Sequence, residues 1–556
     1  MELQFPAWRP GRYELGNFAK NIHGFRIENE NGKRVEFKKI TKDKWLVNCN
    51  GATDLKVYYK YFAAELNAGS TFMDDEQLYI NPVNCLIYAD DQQEEACEMA
   101  IEVPSNFQIA CGAELKENTI YTSSYHQLVD TPFIASANLK HKTFEVWDVL
   151  FHIWIQGELE MEWERVINDF TAYTLKQFEK FGNLRKRESG FPVKEYHYLF
   201  QFPAVPTYHG VEHQDSTVIA LGPAKDLMGK MYDEFLHISS HELYHSWNIK
   251  AIRPVEMYPY DYSKENYSPL GYVAEGVTTY LGDLFLVESQ VKDFKWYKQT
   301  LEKAFQRHFD NFGRFNYSVA ESSWDTWLDG YVAGAPNRKV SIYNEGAILA
   351  LISDLNIRNG SENRASLHHV MRDLYENFAL QNKGYTEVDY QRLIEEYSQE
   401  VLEDHFAHYY HGTHSYEPIL VEALNQAGLD LKMKQNSDFA QAIVGIKTLE
   451  HNSKTIVSQI YPGSTAELGG LMLGDEVTQV NGQKIEQNLS KLIEQHQDDQ
   501  LEFHILRKGR SLHIICPHTN KSYFPQYEII KVKTPSNLNK RIFKKWCSFD
   551  WDTVEF

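Results

Sequence analysis

His241-Glu242-Leu243-Tyr244-His245 places two imidazoles and a carboxylate within five residues. On an α-helix, positions i and i+4 share a face, so His241 and His245 can converge on one metal ion. Glu242 points off that face, where it can take a proton from a water that the metal activates. This is the chemistry of metal-assisted hydrolysis. Two histidines leave such a site one donor short, because a catalytic zinc takes three protein ligands and keeps one position open. Glu275, 30 residues after His245, opens a helical run and is the expected third ligand. Asp283 on the same run is either a carboxylate behind a ligating histidine or a plain helix-surface residue.

Those groups need a helix for the histidines and a second helix against it for Glu275. The first is expected from about Lys225 to Asn248, with Pro254 and Pro259 bracketing its exit. Residues 1–150 lack long helical periodicity. Short runs such as Leu55-Lys56-Val57-Tyr58-Tyr59, broken by Asn, Gly and Asp turns, read as an antiparallel β domain. A helical pattern runs from Glu160 to about Phe181, and a strand-like one covers Tyr196 to Phe200. Helical patterns then dominate from Gly271 to about Ala427. Near residue 440 alternating runs return, with a hairpin signal at Asn481-Gly482. The expected division is an N-terminal antiparallel β domain (1–150), a catalytic domain (151–290), a helical domain (291–435), a compact α+β module (436–520) and a C-terminal segment without a clear element (521–556).

Composition excludes several classes. The chain of 556 residues is 43% hydrophobic and 24% charged, as globular proteins are. Its net charge of -21 argues against nucleic acid or an anionic membrane surface as a partner. No run of eighteen apolar residues exists, so no membrane span is expected. Met1-Glu2-Leu3-Gln4-Phe5-Pro6 has neither a basic segment nor an apolar core. As given, the chain reads as cytoplasmic, or as periplasmic or secreted if a leader is missing. The six cysteines show no metal-ligand spacing and read as free thiols.

His241 to Asn248, followed by Glu275-Gly276-Val277-Thr278-Thr279-Tyr280, resembles the gluzincin peptidases, in which a glutamate on the following helix completes the zinc site. Within that group the chain resembles the PDZ-containing glycyl aminopeptidase family. Pro6-Ala7-Trp8-Arg9-Pro10-Gly11-Arg12-Tyr13 is similar to the family's N-terminal Pro-x-Trp-x-Pro-Gly-x-Tyr, and Gly210-Val211-Glu212-His213 to its Gly-Gly-Leu-Glu-His. Ser322 to Trp327 is similar to a family segment that precedes the catalytic tyrosine. Ser464 to Leu471, Gly474-Asp475-Glu476-Val477 and Val480-Asn481-Gly482 resemble a bacterial PDZ domain.

The resemblance implies a multidomain α+β chain with a thermolysin-like zinc peptidase domain, a following helical region and a C-terminal PDZ domain. One Zn2+ per chain would be held by His241, His245 and Glu275. Glu242 would act as general base and later return a proton to the leaving amine. Tyr343 would supply the hydroxyl that stabilises a developing oxyanion. Gly210, Val211 and Glu212 would form the substrate loop, with the Glu212 carboxylate meeting a free α-ammonium. The implied substrates are peptides with N-terminal glycine or another small residue such as alanine. An endopeptidase tethered by its PDZ domain and a non-catalytic peptide-binding protein are the alternatives. The PDZ module is either a binder of peptide C-termini by strand addition or a packing module.

Overall fold

The protein is described from a computed structural model covering residues 1–332, 334–497 and 499–556. Residues 1–136 form small antiparallel sheets. One of them pairs Glu2–Gln4 with Lys44–Val47, and another pairs Gln77–Ile80 with Phe133–Ser136.

The sheet that organises the active region has five strands: β1 (Lys140–Val146), β2 (Val149–Gln156), β3 (Glu195–Gln201), β4 (Thr207–Glu212) and β5 (Ser216–Gly222). Their order is β1-β2-β3-β5-β4, which leaves β4 at one edge. β1, expected with the N-terminal β domain, pairs instead along its length with β2 of this sheet.

Both faces of the sheet are buried, and the period-2 alternation of strands divides the residues between them. Phe151, Tyr196, Tyr198, Phe200, Ile219 and Leu221 face a core shared with the helices. Trp154, Leu199, Val211, Val218 and Ala220 pack against Ala68, Tyr79, Ala110 and Ile134 of the N-terminal region. The N-terminal region therefore forms a second layer behind the sheet.

Helix α1 (Trp163–Phe181) buries Val166, Phe170, Tyr173, Thr174, Gln177, Phe178 and Phe181, a stripe at the 3.6-residue period. Burial of each large apolar member contributes about 2 kcal/mol. Helix α2 spans Tyr232–Tyr244, shorter than the 225–248 expected. A separate 3₁₀ turn covers Ala224–Asp226, and His245 already caps the helix end. Asp233 and Glu234 in its first turn complement the helix dipole in place of a side-chain cap.

A π-helical turn (Tyr272–Val277) runs directly into α3 (Thr278–Glu288). α4 (Phe294–Asp310) and α5 (Ile342–Gly360) complete the surroundings of the cleft. The end of the chain has more structure than expected. A strand at Gln526–Lys531 pairs with Leu429–Lys434, and a helix at Asn537–Cys547 buries Trp546 against Phe294 and Tyr297.

The C-terminal module has its own core, including Val444, Val457, Val477, Phe503 and Ile505. It is fastened to the end of α4 by Lys447 and Gln459, both of which donate to Asp310. An aromatic cluster of Phe312, Tyr461, Tyr523 and Phe524 seals this junction. Among the described residues, no helix is long and apolar enough to cross a membrane.

Candidate active site

The two histidines stand where α2 ends. His241 Nε2 and His245 Nε2 are 2.9 Å apart. Glu275 Oε2 lies 3.8 Å from the first and 3.4 Å from the second. His245 Nδ1 faces the Asn248 carbonyl at 3.0 Å. A carbonyl can only accept, so Nδ1 carries a proton, which leaves Nε2 as the nitrogen that can serve a metal.

Asn248 also shapes the third donor. Its amide nitrogen donates to the carbonyls of Val273 and Ala274, at 2.8 and 3.3 Å, and lies 3.0 Å from Thr278 Oγ1. These carbonyls lie in the π-turn, whose shifted hydrogen bonding leaves backbone groups to be satisfied from outside. Asn248 therefore fixes both a histidine and the turn that carries Glu275. The turn is pressed against the start of α5: a methyl added at Gly276 would sit 2.3 Å from Gly346 Cα. Only two glycines allow this approach, and it sets Tyr343 over the site.

Glu242 is buried on the sheet side of α2. A Cβ at Gly210 would lie 2.0 Å from Glu242 Oε1, so a bare backbone is needed there. Glu212, two residues along β4, turns to the same face. Donor atoms of Glu212, Glu242 and His245 all lie within 4.8 Å of one another. Burial first, then the Glu212 and Glu275 carboxylates, raises the Glu242 pKa, while His245 opposes the shift.

The turn after Glu212 is pinned by Asp130. That carboxylate contacts His213 Nδ1 at 3.1 Å, the Gln214 amide at 2.9 Å and Lys250 Nζ at 2.8 Å. Burial opposes its ionisation, but Lys250 and His213 outweigh that and hold Asp130 well below the usual carboxylate range.

Two expected positions differ. Val211 does not face the cleft. Its side chain packs in the core behind the sheet, as alternation requires, and its carbonyl accepts from the Thr217 hydroxyl at 3.0 Å. Asp283 backs neither His241 nor His245. It pairs with His237 Nδ1, one helical turn before His241, and His241 Nδ1 has no partner among the described residues.

Tyr343 lies in the second residue of α5 and is 38% exposed to the cleft. Desolvation, and then Glu275, Tyr331, Glu212 and Glu242, keep its hydroxyl protonated, well above the usual phenol range. Glu345, two residues on, is buried. It accepts from the Ser341 amide at 2.9 Å and lies 3.1 Å from His308 Nδ1. Its carboxylate secures the helix start from which Tyr343 projects.

The N-terminal segment enters the site in a way that residue spacing could not reveal. Tyr13 Oη donates to Glu275 Oε1 at 2.8 Å. Gly11, at φ +74°, lies against Glu212: a Cβ there would be 2.6 Å from Glu212 Oε2. Arg9 is buried, 3.4 Å from His209 Nε2, and contributes positive charge near Glu212.

Residues 1–137 match the Peptidase M61 N-terminal domain, residues 234–349 the M61 glycyl aminopeptidase domain and residues 456–507 a PDZ domain. The chain's N-terminal and central regions thus resemble the two domains of the M61 glycyl aminopeptidases. The central match makes the chain a peptidase. It is similar to the crystal structure of an aminopeptidase N family protein from Idiomarina loihiensis, with a TM-score of 0.88 and 25% identity over 98% of this chain and 95% of that one. An M1 zinc metallopeptidase from Deinococcus radiodurans aligns at 13% identity and a TM-score of 0.46, over 75% of this chain and 86% of that one. No curated protein matches the chain.

The donor set of this chain fits zinc. Two ring nitrogens and a carboxylate oxygen face a common point, and His245 has the tautomer a metal ligand needs.

Proposed function

We propose that this protein removes a small N-terminal residue, glycine or alanine, from peptides, using one zinc ion held by His241, His245 and Glu275. Zinc bound there supplies a Lewis acid that acidifies water near neutrality. Glu242 takes the proton from the attacking water and delivers one to the leaving amine. Tyr343 donates to the oxygen on which negative charge develops.

The observation that carries the reading is the closeness of Glu212 to Glu242 on one face of β4. A buried carboxylate beside the base matches a substrate ammonium, and that match requires a free N-terminus. Support for a small first residue comes from the same end of the cleft. Gly11 and Tyr13 lie against Glu212 and Glu275 and so bound the cleft beside the anchored amine.

The test is a panel of aminoacyl anilides and peptides, free and N-acetylated, with and without chelator. Free glycyl and alanyl substrates should be cut, and both acetylation and chelation should abolish turnover. Equal cleavage of acetylated peptides would point to endopeptidase action instead.

A further inference from the structure

β4 orders the cleft. Tyr208, Gly210 and Glu212 alternate onto one face, with neighbours in this row about 7 Å apart. Glu212 marks the amine end, and Gly210 lies against Glu242 and so marks the bond to be broken. Tyr208 marks the side beyond that bond. A peptide added along this free edge, with its amine at Glu212, passes Gly210 and continues toward Tyr208.

The cleft is open along its length, from Gly11 and Glu212 past Tyr208 to α4 and α5. A cavity of about 460 Å³ extends from the metal donors between α2, α3, α4 and α5. That is ample for a small-molecule ligand. Its walls include Ile238, Leu301, Phe305, Ile348 and Leu351, each at most 7% exposed. Tyr297, also in the lining, is 1% exposed and its hydroxyl has no hydrogen-bond partner among the described residues. The charged residues in this part are the mutually paired His237 and Asp283, the buried Glu345, which is held by His308 and the Ser341 amide, and the exposed Arg307 at the rim. A buried, mainly apolar wall favours an apolar side chain, and an unpaired charge placed there would be penalised.

From this we infer that the apolar part of the cavity, between α2, α3, α4 and α5, is the pocket for the second residue of the substrate, and that it selects a large apolar or aromatic side chain there. The enzyme would then combine a small first residue with a bulky second one. The direction of the substrate rests on the aminopeptidase reading. The preference for size beyond the broken bond rests on the cavity itself.

The experiment uses the full-length, zinc-loaded protein and the amides of Gly-Ala, Gly-Leu and Gly-Phe. kcat/KM should rise along the series, with Gly-Phe exceeding Gly-Ala by about tenfold or more. A flat series overturns the inference, as does faster cleavage of Phe-Ala amide than of Ala-Phe amide. Ala304→Trp would place an indole in the lining and should reduce the Phe-over-Ala ratio to near unity in a variant that melts cooperatively. An unchanged ratio in that folded variant overturns the assignment. If it does not fold, Glu242→Gln decides by calorimetry: it should bind Gly-Phe amide more tightly than Gly-Ala amide, and equal affinities overturn the inference. Acetylated peptides separate the two readings. Cleavage of acetylated substrates with the same ratio removes the aminopeptidase reading and leaves the pocket. A flat ratio with acetylated substrates uncut removes the pocket and leaves the aminopeptidase.

Discussion

The Tyr13 hydroxyl donates to Glu275 Oε1 at 2.8 Å, joining residues 262 positions apart. Burial, and then the Glu275 carboxylate itself, raises the Tyr13 pKa well above the usual phenol range, so the hydroxyl keeps its proton and remains a donor. One carboxylate oxygen of Glu275 is thus occupied from the N-terminal region, while the other faces the histidines. Groups that orient a metal ligand commonly change metal affinity 10–100-fold. Tyr13→Phe should fold normally and weaken zinc binding by about tenfold or more. Competition with a calibrated chelator measures this, and wild-type affinity in the variant would show the bond to be incidental.

Gly11 tests the amine end. Its φ of +74° is strained for other residues, and an added Cβ would meet the Glu212 carboxylate. Gly11→Ala should displace Glu212 and raise KM for free peptides several-fold more than it lowers kcat. Steady-state kinetics on a glycyl peptide, with a melting curve to check folding, reads the split. A KM equal to wild type would separate Gly11 from substrate binding.

Tyr343 should matter only as charge develops. Tyr343→Phe is expected to lower kcat about 10²-fold with KM nearly unchanged, the pattern of an interaction made in the transition state. Full activity in this variant would remove Tyr343 from the chemistry.

Glu288 ends α3, the helix continuous with the Glu275 turn, and is paired with Lys180 at 2.6 Å. Burial opposes its charge, but Lys180 and His368 prevail and lower its pKa from 4.5 to about 2. A depressed carboxylate stabilises the fold above its unfolded pKa, and that contribution is lost as pH falls through the folded value. Glu288→Gln should therefore cost about 3 kcal/mol near neutral pH, with the gap to wild type closing between about pH 4.5 and 2. Denaturant titrations across that range test it. A gap independent of pH would contradict the pairing.

The sequence by itself determined which groups stand together along one helix. Helical spacing makes His241 and His245 neighbours whatever surrounds them, and the same short-range logic gives the strands, the Asn-Gly hairpin signal and the module texture after residue 440. Glu275 was legible because it opens the next helical run after its motif. Tertiary structure decided everything that depends on separate elements meeting. The sheet's alternation sent Val211 into the core behind it and Glu212 toward the base, and helix rotation gave Asp283 to His237 rather than to a ligand. The close approach of Gly276 and Gly346 is invisible in either stretch alone. So is the reach of the N-terminal segment to Glu212 and Glu275. Such contacts span many intervening residues, and no local periodicity encodes them.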